Sequence, residues 1–293
     1  MANIESNNTN IKIIECPRDA MQGIKHFIPT QTKIDYINQL LKVGFDTIDC
    51  GSFVSAKMVP QLQDTAEVLN NIDLSYTTTK LLTIVANLRG IDEALKFENI
   101  TYLGFPLSLS ETFQQRNTNK SIDEAFLTIA EGNNLITKNG KKMLVYLSMG
   151  FGNPYGDPYS ADYIFQFVSR LEKLGIAYIS LSDTIGIAET TQISELFGGV
   201  LNQFSTIEFG AHLHTTPDAA EEKINAAYNA GCKRFDSAIN GYGGCPMADN
   251  ILVGNLSTQQ LINYLKPKFA KPLINHAELE LAIHQAATIF PLS

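Results

Sequence analysis

The chain has 293 residues, 44% hydrophobic and 18% charged, a balance suited to one large α/β domain with a sizeable core. Its formal net charge of −8 argues against nucleic acid or an anionic membrane surface as the main partner. No apolar run reaches the ~18–20 residues of a membrane span, the Asn-rich start lacks the pattern of a secretory signal, and the four cysteines (Cys16, Cys50, Cys232, Cys245) show no CxxC spacing, so a soluble, cytoplasmic protein with reduced thiols is expected.

Taken in order, short apolar runs alternate with helical patterns. Ile11 to Cys16 is β-branched and stopped by Pro17. Thr30 then caps a helix to about Val43, with Ile34, Ile37 and Leu41 on one stripe and Gly44 closing it. Strands follow at Phe45–Cys50, Leu81–Ala86, Ile100–Phe105 and Met143–Met149, with helices near Val59–Leu69, Ile91–Phe97, Ser121–Thr137 and Ala161–Leu174. The rhythm continues through strands at Tyr178–Leu181, Ile207–His214 and Arg234–Ile239. Their helices fall at Thr190–Phe204, Asp218–Ala230 and from Thr258, and the tail adds one more near Ala277–Ile289.

Eight strand-then-helix units predict parallel pairing. A closed (β/α)8 TIM barrel needs about 250 residues, whereas an open doubly wound sheet uses about five or six strands. The expectation is a single domain over 1–293, with the barrel spanning about 11–265 and a short C-terminal helical extension over 266–293.

The site of such a barrel lies at the C-terminal ends of its strands. The conspicuous polar residues fall there: Arg18 and Asp19, Asp49 and Ser52, Tyr146 and Ser148, Ser180 and Asp183, His212 and His214, then Cys245 and Asn255 after the eighth strand. His212 and His214, two apart on a strand, share one face and form either a metal-ligand pair or a hydrogen-bonded structural pair. Asp and Ser at such junctions also serve as helix caps. Their joint placement, however, aims all of them into one cavity.

Four segments carry a family resemblance. Glu15-Cys16-Pro17-Arg18-Asp19-Ala20-Met21-Gln22 resembles the Pro-Arg-Asp-Gly-x-Gln motif of metal-dependent lyase and acyl-CoA-condensing barrels. Ser52-Phe53-Val54-Ser55-Ala56-Lys57 is similar to the Ser-Phe-Val-Ser-Pro-Lys segment of 3-hydroxy-3-methylglutaryl-CoA lyases. Ser180-Leu181-Ser182-Asp183-Thr184-Ile185-Gly186 and Gly243-Gly244-Cys245-Pro246 complete the set, in the family's order, over about residues 11–265.

The resemblance implies a lyase that splits a 3-hydroxyacyl-CoA into acetyl-CoA and acetoacetate, with a divalent cation, Mg²⁺ or Mn²⁺, as cofactor. It makes Asp19, His212, His214 and Asn255 the metal ligands, Arg18 the partner of the substrate carbonyl and enolate, and Cys245 a catalytic residue. Gln22, Asp49, Ser52, Tyr146, Ser180 and Asp183 match positions of the acyl pocket, and Asp183, alone or with His212, is the candidate for the hydroxyl proton. Lys57, Arg116 and Lys120 are the basic residues of the strand–helix loops placed to meet coenzyme A phosphates. A small-molecule acyl-CoA is the expected partner, and a homodimer is left open. Ala20 in place of Gly, Asp49 in place of Glu and Met247 in place of Tyr are departures bearing on the acyl substrate.

The rival enzyme is a condensing synthase of the isopropylmalate or citramalate type. The Gly-Cys-Pro sequence at 244–246 and the short tail favour the lyase. An iron oxygenase with two His and a carboxylate fits eight βα units poorly, and an inactive barrel acting as a binding subunit would not be expected to keep all of these residues.

Overall fold

A computed structural model describes residues 11–244, 253–269 and 273–290. Strands β1 (Lys12–Glu15), β2 (Thr47–Ser52), β3 (Lys80–Ile84), β4 (Ile100–Ser108), β5 (Lys142–Ser148), β6 (Tyr178–Asp183), β7 (Glu208–Leu213) and β8 (Arg234–Ser237) pair in sequence order and close, β8 onto β1, into a parallel barrel. Around it run α1 (Pro17–Gln22), α2 (Thr30–Val43), α3 (Thr65–Asn71), α4 (Leu88–Leu95), α5 (Glu111–Thr118), α6 (Ile122–Lys138), α7 (Ala161–Lys173), α8 (Thr190–Gln203), α9 (Ala220–Asn229), α10 (Thr258–Leu265) and α11 (His276–Ile289). This is the (β/α)8 TIM barrel with a C-terminal helical extension that the alternation predicts. Among the described residues no helix is long and apolar enough to cross a membrane.

Alternation along each strand divides the core in two. Outward residues such as Ile13, Ile48, Leu103, Val145, Ile179 and Phe209 pack under the helices, while Leu82, Tyr102, Leu144 and Tyr146 form a separate cluster inside the barrel. Glycine makes room for that inner layer: a Cβ at Gly104 would sit 2.6 Å from Ile84 Cδ1 and 3.0 Å from Tyr146 Cε2. The extension docks outside. On α11 Glu278 accepts from Gln39 Nε2 through its carbonyl oxygen at 2.9 Å, and the Asn275 N–H donates to Val43 O at 2.8 Å.

Three helices depart from the sequence expectation. Pro17, read as a stop, is the first residue of α1; its missing N–H costs nothing at a helix start, where that group has no partner. α5 follows the Ser110 cap, whose Oγ accepts from the Phe113 N–H at 3.1 Å. Its Gln-rich sequence buries only Phe113 and Gln114, so no apolar stripe betrays it. The helix expected over Val59–Leu69 is instead a short 3₁₀ turn, Pro60–Leu62, followed by α3. Conversely, β4 runs on past Phe105, keeping Pro106 in register with Tyr146.

Candidate active site

The rim formed by the strand ends holds a cavity of about 230 Å³. α1 leaves β1 without a loop, so its first turn stands on the rim. Within it Arg18 and Gln22 are one turn apart and Asp19 lies beside both. Arg18 Nη1 donates to Asp19 Oδ1 at 2.7 Å and to Gln22 Oε1 at 2.9 Å, while Gln22 Nε2 donates to the same Asp19 oxygen at 2.5 Å. Two strands along the closed barrel, β7 presents His212, and His214 follows just past its end. Asp19, His212 and His214 each bring a ligand atom within 4.8 Å of the others. Asn255, bridged to His214 through the backbone, donates from Nδ2 to Asp19 Oδ2 at 2.8 Å. Gly243 closes this corner at φ +95°, and a Cβ there would lie 2.7 Å from both Asn255 Nδ2 and Asp19 O, so no larger residue fits.

The electrostatics suit a cation. Burial would raise the Asp19 carboxyl, but the Arg18 guanidinium, the two imidazoles and the Asn255 amide outweigh it and hold it at about 2. Burial, with the neighbouring His212, brings His214 down to about 4, which leaves its imidazole neutral. Burial also lowers His212, but the hydrogen bond from Nδ1 to Asp236 Oδ2 at 3.1 Å and that carboxylate's charge reverse the direction. With its proton on Nδ1, neutral His212 turns the Nε2 lone pair toward His214 Nε2, 3.3 Å away. A His214 proton on Nε2 makes this a hydrogen bond, and with that proton on Nδ1 both Nε2 lone pairs are free for a shared cation. A carboxylate, two imidazoles and an amide are donors that a divalent ion such as Mg²⁺ or Mn²⁺ accepts with positions to spare. The residues present therefore fit the ion that the resemblance implies.

Arg18 is the other pole of the site. Its Nε and Nη2 both donate to Asp49 Oδ2, at 2.9 and 2.6 Å, on the side away from Asp19. Four of its N–H groups are thereby engaged, leaving one of the five a guanidinium carries. Asp49 is fully buried, and burial pushes its carboxyl up to about 6 against the pull of Arg18.

Arg18, Asp19, Gln22, Ser52, Tyr146, Ser148, His212 and His214 all line the cavity. The Tyr146 ring meets the His212 ring edge-on at 5.5 Å. Asp49 lies behind Arg18 rather than in the acyl pocket. Ser180 corrects in depth: it faces inward but one layer below, fully buried, and Ser182 two residues on lines the cavity in its place. Arg116 and Lys120 do not reach it either. Arg116 lies over the Tyr155 ring at 4.7 Å and Lys120 donates to Thr128 Oγ1 at 2.9 Å, while exposed Lys57 adjoins the lining residue Met58. Cys245 lies outside the described residues.

Asp183 departs most from the expectation of a base. Its carboxylate accepts from the Ile187 and Ala188 N–H groups at 2.9 and 3.0 Å and from Lys223 Nζ at 2.8 Å, outside the cavity lining. Lys223, only 5% exposed, also donates to His214 O. This is a buried ion pair supporting the strand end. Asp183→Ala is accordingly expected to lower stability in urea unfolding by about 3–5 kcal/mol, the cost of stranding a buried charge. A large loss of turnover with unchanged stability would return Asp183 to the chemistry.

Sequence reading passed over Asp236, the partner of His212. Its position two residues after Arg234 on the eighth strand, with the same inward orientation, was the available signal.

A parallel barrel whose strand ends gather an arginine, a carboxylate and two imidazoles around one cavity is an enzyme scaffold, with its site where such barrels carry them. Comparison with known proteins gives the family. The HMGL-like family model matches residues 10–285. Hydroxymethylglutaryl-CoA lyase YngG of Bacillus subtilis is 33% identical over 250 residues, 85% of this chain and 83% of that protein. The cytoplasmic 3-hydroxy-3-methylglutaryl-CoA lyase of Homo sapiens is 32% identical over 260 residues, 87% of this chain and 68% of that one. The structure of an HMG-CoA lyase from A. baumannii, in complex with coenzyme A and 3-methylmalate, superposes with a TM-score of 0.90 at 30% identity, covering 98% of this chain and 93% of that one. The chain belongs to the HMG-CoA lyase family of carbon–carbon lyases.

Proposed function

We propose that this chain cleaves 3-hydroxy-3-methylglutaryl-CoA, or a close 3-hydroxyacyl-CoA, to acetyl-CoA and acetoacetate, with Mg²⁺ or Mn²⁺ held by Asp19, His212, His214 and Asn255. The observation that carries this reading is the shared wall: Arg18 bonds Asp19 at 2.7 Å, so a cation beside Asp19 and the guanidinium address one bound molecule. The A. baumannii relative, solved with coenzyme A and 3-methylmalate, supports a substrate joining a short hydroxy acid to coenzyme A.

When bound, the ion supplies Lewis acidity that acidifies the 3-hydroxyl and orients it against the carbonyl. The hydroxyl loses its proton, the bond between C2 and C3 breaks, and its electrons pass into a thioester enolate. Arg18 cannot give up a proton at working pH, and its remaining N–H donates to the developing enolate oxygen. Of the two groups considered for the hydroxyl proton, His212 faces the cavity and Asp183 does not, and His212 can take that proton only at an Nε2 not given to the ion, since its Nδ1 is on Asp236. Val54, Ile84, Ala86, Pro106 and Phe113 give the cavity an apolar side that keeps water from the enolate. A proton delivered to C2 completes acetyl-CoA, and the family motif gives that task to Cys245.

Incubation with 3-hydroxy-3-methylglutaryl-CoA and either ion is expected to yield acetoacetate; its absence with both refutes this activity. Cys245→Ala is expected to lower kcat by about 10²–10⁴, the usual worth of a positioned acid, with KM little changed. Near-normal kcat removes Cys245 from the reaction.

A further inference from the structure

Behind the cavity wall lies a second group of metal-binding atoms. Cys16 at the end of β1, His212 on β7 and Asp236 on β8 bring a sulfur, a ring nitrogen and a carboxylate oxygen within 4.8 Å of one another. These three strands are neighbours in the closed barrel, so the group is mounted on paired backbone. Cys16 and Asp236 are 1% and 2% exposed. The thiol makes one long contact, 3.8 Å to Ile14 O, and Asp236 Oδ1 has no hydrogen-bond partner among the described residues. Asp236, Asp49 and Asp19 surround the thiol with negative charge, opposed by Arg18, and Arg234 faces Asp236 from below.

The geometry points to a second, inner metal site at Cys16, His212 and Asp236, selective for a borderline ion such as Zn²⁺. Sulfur, imidazole and carboxylate are the donors zinc takes, at about 2.0–2.3 Å. Thiolate is a soft ligand that Mg²⁺ and Mn²⁺ disfavour. On binding, the Cys16 proton leaves to solvent and the S–Zn bond forms, with no change of oxidation state.

Sharing His212 links this site to the outer one. The inner ion takes Nδ1, the nitrogen now bonded to Asp236, and the imidazole then carries its proton on Nε2. A protonated Nε2 cannot ligate beside Asp19 and His214. Zinc at the inner site thus acts as an inhibitor of metal binding at the rim, and this consequence rests on the proposed reading of the outer site.

Cobalt(II) separates the two, because only a thiolate ligand gives an intense near-ultraviolet charge-transfer band. Metal-free full-length protein, with saturating Mg²⁺ and one equivalent of Co²⁺, is expected to show that band; it should vanish in Cys16→Ser and Cys16→Ala and persist in Cys245→Ala. One equivalent of Zn²⁺ should weaken Mn²⁺ binding about tenfold more in the wild type than in Cys16→Ser, where zinc competes only at the rim itself. Absence of the band, or its survival without Cys16, overturns the inner site whether or not the protein turns over substrate. If neither Cys16 variant folds, X-ray absorption of zinc-loaded Cys245→Ala decides: one sulfur neighbour supports the site and none overturns it. A band without that difference in Mn²⁺ binding keeps the inner site and overturns the link to the rim.

Discussion

Arg18→Met is expected to lose about 10²–10³-fold in kcat and, separately, about 3–5 kcal/mol of folding stability. The rate loss follows from removing the donor aimed at the developing enolate. The stability loss follows from Asp49, which is fully buried and receives both of its hydrogen bonds from Arg18, with Oδ1 unpartnered among the described residues. Met fills the space of the side-chain stem but leaves that carboxylate buried without a counter-charge. The two effects separate in a double variant. Arg18→Met with Asp49→Leu replaces the buried pair by apolar groups, an exchange that is often neutral or stabilising. Urea unfolding should show most of the lost stability restored, while steady-state assays show kcat still depressed. If Asp49→Leu recovers both, Arg18 acts by holding the fold and not on the enolate.

The alternation of apolar runs was enough to read the barrel, because each strand is buried on both faces and each helix carries one stripe. The same period of two put His212 and His214 on one face. What it does not encode is depth. Ser180 and Ser182 share a face of β6, and only the stagger of the closed barrel decides which reaches the cavity. Asp49 and Asp183 were legible as inward or strand-end carboxylates, but their partners, Arg18 and Lys223, lie 31 and 40 residues away and no local pattern links them. Pro17 carries two opposite meanings, a strand stop and a helix start, and the second carries the Arg18-Asp19 pair into the site. Asp236 was missed because a carboxylate inside a short strand reads as a surface residue until His212 is known to face it.

Asp19→Ala is expected to weaken Mn²⁺ binding more than about 100-fold, beyond the 10–100-fold typical of losing a supporting contact. Asp19 is the one anionic member of the proposed ligand set, and with its carboxyl held at about 2 it carries that charge throughout the neutral range. Deleting it removes a ligand and also one of the two carboxylates beside Arg18, whose Nη1 now bonds it at 2.7 Å; with Asp49 alone as counter-charge the guanidinium repels the incoming ion more strongly. His214→Ala removes a neutral ligand and leaves the charge balance intact, so it should cost less. Calorimetric titration of Mn²⁺ into both variants tests the ordering, and acetoacetate release should fall in the same order. Equal losses would mean that ligand number alone sets affinity. Full retention in Asp19→Ala would place the ion elsewhere.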